Sequence, residues 1–246
     1  MKEFPGKLTE VSPSRLFTEK TTDKTANFFL VLSVVYNDLK GILLFQSLVA
    51  ENYRRPGSRE RSVHSGEYSG LHIQLTRILI GTIHEFFNFL EKNKEVLETL
   101  DFKDALKATN QNIEKDWKDI LGVVFGGSQT SSNFRHNLGL IRHNISFHYN
   151  QSGKELRRAF CSIFFKRKKI GFNDTACYSV GEKMDSTRFY YADAATEEYI
   201  RLQSNRSDKL ESMSGYGPEM MEVIRKMNFA ISRILEAYLK RKSKNN

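Results

Sequence analysis

Residues 26–50 read ANFFLVLSVVYNDLKGILLFQSLVA, and the spacing of their apolar side chains decides the fold class. Leu30, Val34, Val35, Leu39, Ile42, Leu43 and Leu48 recur mostly at three and four, the period of an α-helix rather than the alternation of a strand. Thr21 to Asp23 offers N-capping side chains, so a long helix is expected from there to about Asn52. The stretch raises the question of a membrane span. Asn37, Asp38 and Lys40 divide it into two apolar halves, each below the ~20 residues that a span requires. It is read as a buried helix of a cytoplasmic protein with no membrane partner. The preceding MKEFPGKLTEVSPSR has no apolar core followed by small residues, so export is not expected.

Outward from this helix the same period persists. Residues 54–70, RRPGSRERSVHSGEYSG, interrupt it with Pro, Gly and Ser and read as an exposed basic loop, after which a second helix is expected over about 71–93. A third starts at Asp101 or Asp104, carries Leu106, Ile113, Trp117, Ile120, Leu121 and Val124, and stops at Gly126-Gly127, where a left-handed turn is easy. Ser128 to Ser132 can cap a fourth helix, and residues 153–166 add a further helical piece. Over 168–191, Gly171, Asn173-Asp174, Gly181 and Asp185-Ser186 punctuate short aromatic and β-branched runs, the mark of a loop or small hairpin. Helical pattern returns over 192–202 and again from Pro218 to about Lys240.

The expected fold is therefore all-α: a bundle of four to six long helices with an irregular loop or hairpin insertion near 168–191. No linker-like segment divides the 246 residues. One domain over 1–246 is expected, with core helices over about 21–166 and a C-terminal extension over about 167–246.

Lys and Arg number 38 against 29 acids, a net charge of +9 that favours polyanionic partners. The excess is uneven: residues 157–169 read RRAFCSIFFKRKK, the tail reads KRKSKNN, and no Asp or Glu lies between Asp119 and Glu155. Arg157, Arg158, Lys166 and Arg167 are candidate nucleic-acid contacts, while the tail is more simply a solubilising segment. Phe147, Tyr149, Phe160, Phe164 and Phe165 interleave with this basic region; they could stack bases, but core packing is the expectation.

Several chemistries find little support. Cys161 and Cys177 lack CxxC or Cys/His spacing and read as reduced thiols. VFGGSQTS lacks the Gly-Lys-Ser/Thr of a P-loop, and no GxSxG occurs. His136 and His143 share a helix face but are seven apart, too far for one ion, so neither a metal nor a cofactor is expected. Asp193, Glu197 and Glu198 in YADAATEEYI most simply form a solvated helix face. His72 and His84 are expected to pack within the second helix.

What remains is residues 141–150, IRHNISFHYN. On a helical wheel Phe134, Leu138, Ile141 and Ile145 form one apolar stripe. Asn137, Asn144 and His148 lie on one shoulder, Arg135 and Arg142 on the other, and His136 and His143 on the far face. A histidine beside an apolar stripe is ordinarily a packing residue. The alternative is a phosphodiester site, in which His148 moves a proton, Arg142 holds the phosphate with its planar fork, and Asn144 orients one or the other. Arg142 and His148 are about 120° apart and roughly 9 Å along a regular helix. Bringing them together would take the reach of Arg142, a local distortion, or a second subunit. Arg135-His136-Asn137 repeats the Arg-His-Asn triplet two turns earlier, and Arg135 is assigned at most phosphate positioning.

Arg142-His143 followed by His148 resembles the motif of HEPN domains, all-helical bundles in which an Arg and an adjoining polar residue precede a His by four to six positions. The resemblance covers seven residues and the helical context over about 21–165. It implies a metal-independent endoribonuclease, of toxin or phage-defence kind, with Arg142 and His148 catalytic and His143 as the polar companion. It further implies RNA as substrate, a homodimer that brings two motifs together, 2′-hydroxyl attack leaving a cyclic phosphate, and an antitoxin or regulatory protein as partner. Some members bind RNA without cutting it, so a non-catalytic RNA-binding or protein-interaction module is the alternative.

Overall fold

The computed structural model describes residues 12–16, 21–57, 62–126, 129–146, 154–166, 176–182, 187–203 and 217–244. Its helices are α1 (Pro13–Leu16), α2 (Lys24–Asn52), α3 (Val63–Lys92), α4 (Lys94–Leu97), α5 (Leu100–Lys107), α6 (Gln111–Phe125), α7 (Gln129–Ile141), α8 (Lys154–Cys161), α9 (Tyr190–Gln203) and α10 (Gly217–Lys244). The chain is an all-α helical bundle. α3 runs through it, meeting α2, α6, α7 and α9, while α10 closes the other side against α2, α5 and α6.

Helix α2 begins as its sequence predicts: Asp23 Oδ1 accepts from the Ala26 N–H at 3.0 Å, which satisfies a donor that the first turn leaves orphaned. It then passes unbroken through Asn37, Asp38 and Lys40, and its length and composition suffice to cross a membrane. Only one face is buried, that of Phe28, Phe29, Leu32, Leu39, Ile42 and Val49. Leu30, Val31, Val34, Leu44, Phe45 and Leu48 are exposed on the other, which corrects the expectation of a buried helix. The inner face anchors the bundle through ring contacts. Phe29 stacks on Tyr238 of α10 at 3.7 Å, Phe28 stacks on Phe89 of α3 at 4.9 Å, and Phe102 of α5 meets Trp117 of α6 at 5.5 Å.

Helix α3 starts eight residues before the expected position, since Ser62 and Ser65 form a reciprocal capping box and the Gly/Ser-rich VHSGEYSG is helical. The reason is tertiary. A Cβ on Gly66 would sit 2.1 Å from the Tyr190 ring, and one on Gly70 would sit 2.0 Å from the Arg188 guanidinium. These glycines are a trough for the segment before α9 rather than loop punctuation. Within the insertion expected over 168–191 as a loop or hairpin, Ser179 and Arg188 form an isolated antiparallel bridge with backbone hydrogen bonds of 2.8 and 2.9 Å, while 168–175 and 183–186 lie outside the described residues. Arg188 then reaches Glu67 at 2.9 Å and Asp193 at 2.7 Å.

The expected third helix is two. Asn110 caps α6, its side chain accepting from Ile113 N at 3.0 Å, and so α5 ends at Lys107. Gly126, at φ +82°, terminates α6 in the left-handed turn that its position predicts.

Candidate functional site

Helix α7 buries Phe134, Leu138 and Ile141, the apolar stripe of the wheel. Past Ile141 the regular helix gives way to a π-helical turn over Arg142–Ser146. The widened backbone changes the angular step between residues, so the regular wheel does not carry across Arg142, His143 and Asn144. Turns of this kind recur at functional sites. Here it is supported by Tyr199 of α9, whose hydroxyl accepts from Asn144 Nδ2 at 2.6 Å and donates to the Leu140 carbonyl at 3.5 Å. Burial raises the pKa of Tyr199, keeping it a phenol and hence a donor. Asn144 is thus engaged in holding the turn.

Arg142 is directed toward α3. Its Nη2 lies 2.7 Å from Glu85 Oε1, and its Nη1 donates to His143 Nδ1 at 3.3 Å. The His143 ring in turn meets His84 edge to face, with centroids 6.0 Å apart. A groove of about 580 Å³ opens beside them, lined by His84, His136, His143, Arg135 and Glu91 together with residues 123–126 and Gly139.

Within this groove His84 is specified in unusual detail. Its Nδ1 lies 3.2 Å from the Asn88 amide nitrogen and 3.8 Å from Glu85 Oε1. A Cβ on Gly139 would lie 3.2 Å from its Nε2, so the bare glycine gives the ring its place. Burial lowers the His84 pKa below 6.5, and the nearby Arg142 and His143 add to the effect while Glu85 opposes it. The result is an imidazole held neutral near pH 7.

The acid-free stretch between Asp119 and Glu155 is not acid-free in its surroundings. No acid is near in sequence, but α3 supplies two in space: Glu85 pairs with Arg142, and Glu91 with Arg135. Arg135 also donates to the Val124 carbonyl, which ties α7 to the end of α6. Its hydrogen bond holds the Glu91 carboxyl below the usual range. Glu198 is corrected as well. Rather than part of a solvated face, it is buried, paired with Arg201 at 2.7 Å and accepting from Ser162 Oγ at 2.8 Å. His84 does not simply pack, since it lines the groove.

His148 and Arg167 lie outside the described residues, as do Phe147 and Tyr149. Arg157 and Arg158 are exposed on α8 and Lys166 at the end of the following π-helical turn, Ser162–Lys166; the groove is lined by none of the three. Cys161 and Cys177 are free thiols. Among the described residues no group of three or more His, Cys, Asp or Glu is disposed to hold a metal ion.

The residues missed from sequence are His84, Glu85, Glu91 and Tyr199. For the α3 set a signal existed: His84, Asn88 and Glu91 fall at i, i+4 and i+7, a polar line beside the apolar Ile80, Ile83, Phe86, Phe87 and Leu90. For Tyr199 there was none. No protein-family model matches the chain, and no curated protein or solved structure matches it either.

Proposed function

We propose that this chain is an HEPN-like, metal-independent endoribonuclease of toxin or phage-defence kind, acting as a homodimer and restrained by a regulatory protein. The observation that carries the reading is the Arg142 and His143 pair on a π-helical turn, its side chains joined by an Nη1 to Nδ1 hydrogen bond of 3.3 Å, beside a groove lined by three imidazoles. Cleavage needs a base to take the ribose 2′-hydroxyl proton, an acid to protonate the leaving 5′-oxygen, and a cation to hold the phosphate charge. His148 is assigned the acid/base role, Arg142 the phosphate, and His143 the polar companion. The net charge of +9 favours RNA approach.

The test is incubation of purified protein with single-stranded and transfer RNAs in a chelator. Product ending in a 2′,3′-cyclic phosphate is expected, and Arg142→Ala and His148→Ala should each abolish it without changing the helical signal. RNAs left intact at high protein concentration would overturn the activity. A second reading, a non-catalytic RNA-binding or docking module, draws on the Glu85 and Glu91 carboxylates that occupy Arg142 and Arg135. It predicts salt-sensitive gel shifts with no product at any time.

A further inference from the structure

Of the rings expected to pack in the core, Phe165 is 71% exposed, whereas Phe160 and Phe164 are half-buried. In the segment that follows, Tyr178 is 67% exposed, Phe189 49% and Tyr191 37%. Apart from Tyr178, these rings form a connected patch with Phe160 at its hub: Phe160 lies 4.5 Å from Phe164, 5.9 Å from Phe165 and 6.3 Å from Tyr191, which is 6.0 Å from Phe189. Three of these four contacts are edge to face, and Phe165, Phe189 and Tyr191 keep exposed ring surface. A contiguous exposed aromatic surface is costly to keep in water and marks a binding site.

The charges beside it select the occupant. Arg157 sits over the Phe160 ring at 5.9 Å, and Lys166 is exposed next to Phe165. The sequence continues with Arg167, Lys168 and Lys169. The carboxylates nearby are already paired, Glu155 with Arg158, Asp193 with Arg188 and Glu198 with Arg201. Open rings flanked by cations match a ligand that alternates flat apolar bases with phosphates.

We infer that the Phe160, Phe164, Phe165, Phe189 and Tyr191 surface, with Arg157 and Lys166 at its rim, is a stacking platform for single-stranded RNA. The choice of RNA rests on the function proposed above; the platform itself is independent of cleavage.

The experiment is fluorescence anisotropy of the full chain with a labelled 2′-O-methyl RNA of about 12 nucleotides, within the usual site size for such surfaces. This strand lacks the 2′-hydroxyl nucleophile, so binding is read apart from cutting. Phe165→Ala should weaken binding about tenfold, whereas Phe165→Tyr, which keeps a ring, should bind within about twofold of wild type. Arg157→Ala should reduce the salt dependence by about one phosphate contact, and a duplex of the same sequence should bind less tightly because its bases are already stacked. Since Phe165 and Arg157 are exposed, the variants should keep the wild-type circular dichroism and unfolding midpoint. Equal affinity of Phe165→Ala and wild type, equal affinity for duplex, or a Phe165 dependence found only with phosphatidylserine vesicles would each overturn the platform. Binding without cleavage of natural RNA would leave the platform standing and remove the proposed activity.

Discussion

His84 and His143 approach edge to face across the groove, on helix α3 and the π-helical turn after α7, with ring centroids 6.0 Å apart. Burial and the neighbouring Arg142 and His143 lower the His84 pKa; burial and Arg55 do the same for His72. An unfolded histidine takes up its proton near pH 6.5, so below that pH the unfolded chain binds more protons than the folded one. The stability contributed by neutral His84 and His72 is present above pH 6.5 and is lost as pH falls toward their lower folded values. Thermal unfolding should therefore show a falling midpoint between about pH 7 and about pH 5. His84→Gln should flatten part of that slope. The carboxylates with lowered pKa, such as Glu91 and Glu236, respond only below the usual 4.5, so the two windows separate. An unchanged slope in His84→Gln would mean that His84 does not couple to folding.

Glu85 holds Arg142 at 2.7 Å, and its side chain is 51% exposed. A pair so open to water contributes about 0–1 kcal/mol to stability, so Glu85→Gln should barely move the unfolding midpoint. Its effect on ligand binding should be larger, because the Arg142 guanidinium is released from a carboxylate that competes with phosphate. RNA affinity should rise and its salt dependence should steepen by about one contact. Affinity measured against salt concentration checks this, and a weakened complex would show that Glu85 organises the site rather than screens it.

The helices were legible wherever a helix buries one continuous stripe. The Asp23 cap of α2, the Gly126 stop of α6, and the buried Phe134, Leu138 and Ile141 of α7 all followed from local spacing. Errors arose where a residue's environment is supplied from far along the chain. Gly66 and Gly70 look like loop residues until Tyr190 and Arg188 fill the space beside them. Glu198 looks solvated until Ser162 and Arg201 enclose it. The site divides in the same way. Arg142 and His143 stand out by composition, but Glu85, which pairs with Arg142, and His84, whose ring meets His143, come from a helix far earlier in the chain. The π-helical turn has no compositional signature, and so the bond of Asn144 to Tyr199 was not legible from a regular wheel.

That bond is testable on its own. Tyr199 takes the Asn144 amide at 2.6 Å and reaches the Leu140 carbonyl at 3.5 Å, and it is buried. Tyr199→Phe keeps the ring packing but leaves both partners without this hydroxyl, which should cost about 1–2 kcal/mol. Denaturant unfolding measures the loss. If the hydroxyl positions the π-helical turn, amide hydrogen exchange over residues 140–146 should also accelerate more than exchange in α10. A uniform change across both helices would identify Tyr199 as a packing residue only.

The Gly70 trough predicts a reversal of the usual helix rule. Gly→Ala within a helix ordinarily stabilises by about 0.5–1 kcal/mol. At Gly70 the added carbon would lie 2.0 Å from the Arg188 guanidinium, which cannot retreat without loosening its bonds to Glu67 at 2.9 Å and Asp193 at 2.7 Å. The three side chains are largely shielded, at 19%, 19% and 26% exposure, so this network is worth more than a surface pair. Gly70→Ala should therefore destabilise, by about 1–2 kcal/mol once the propensity gain is offset. In an Arg188→Ala background the clash is gone and the same substitution should stabilise. The sign change across a double-mutant cycle, measured by urea unfolding, is the diagnostic. A destabilising Gly70→Ala in both backgrounds would place the obstruction elsewhere than at Arg188.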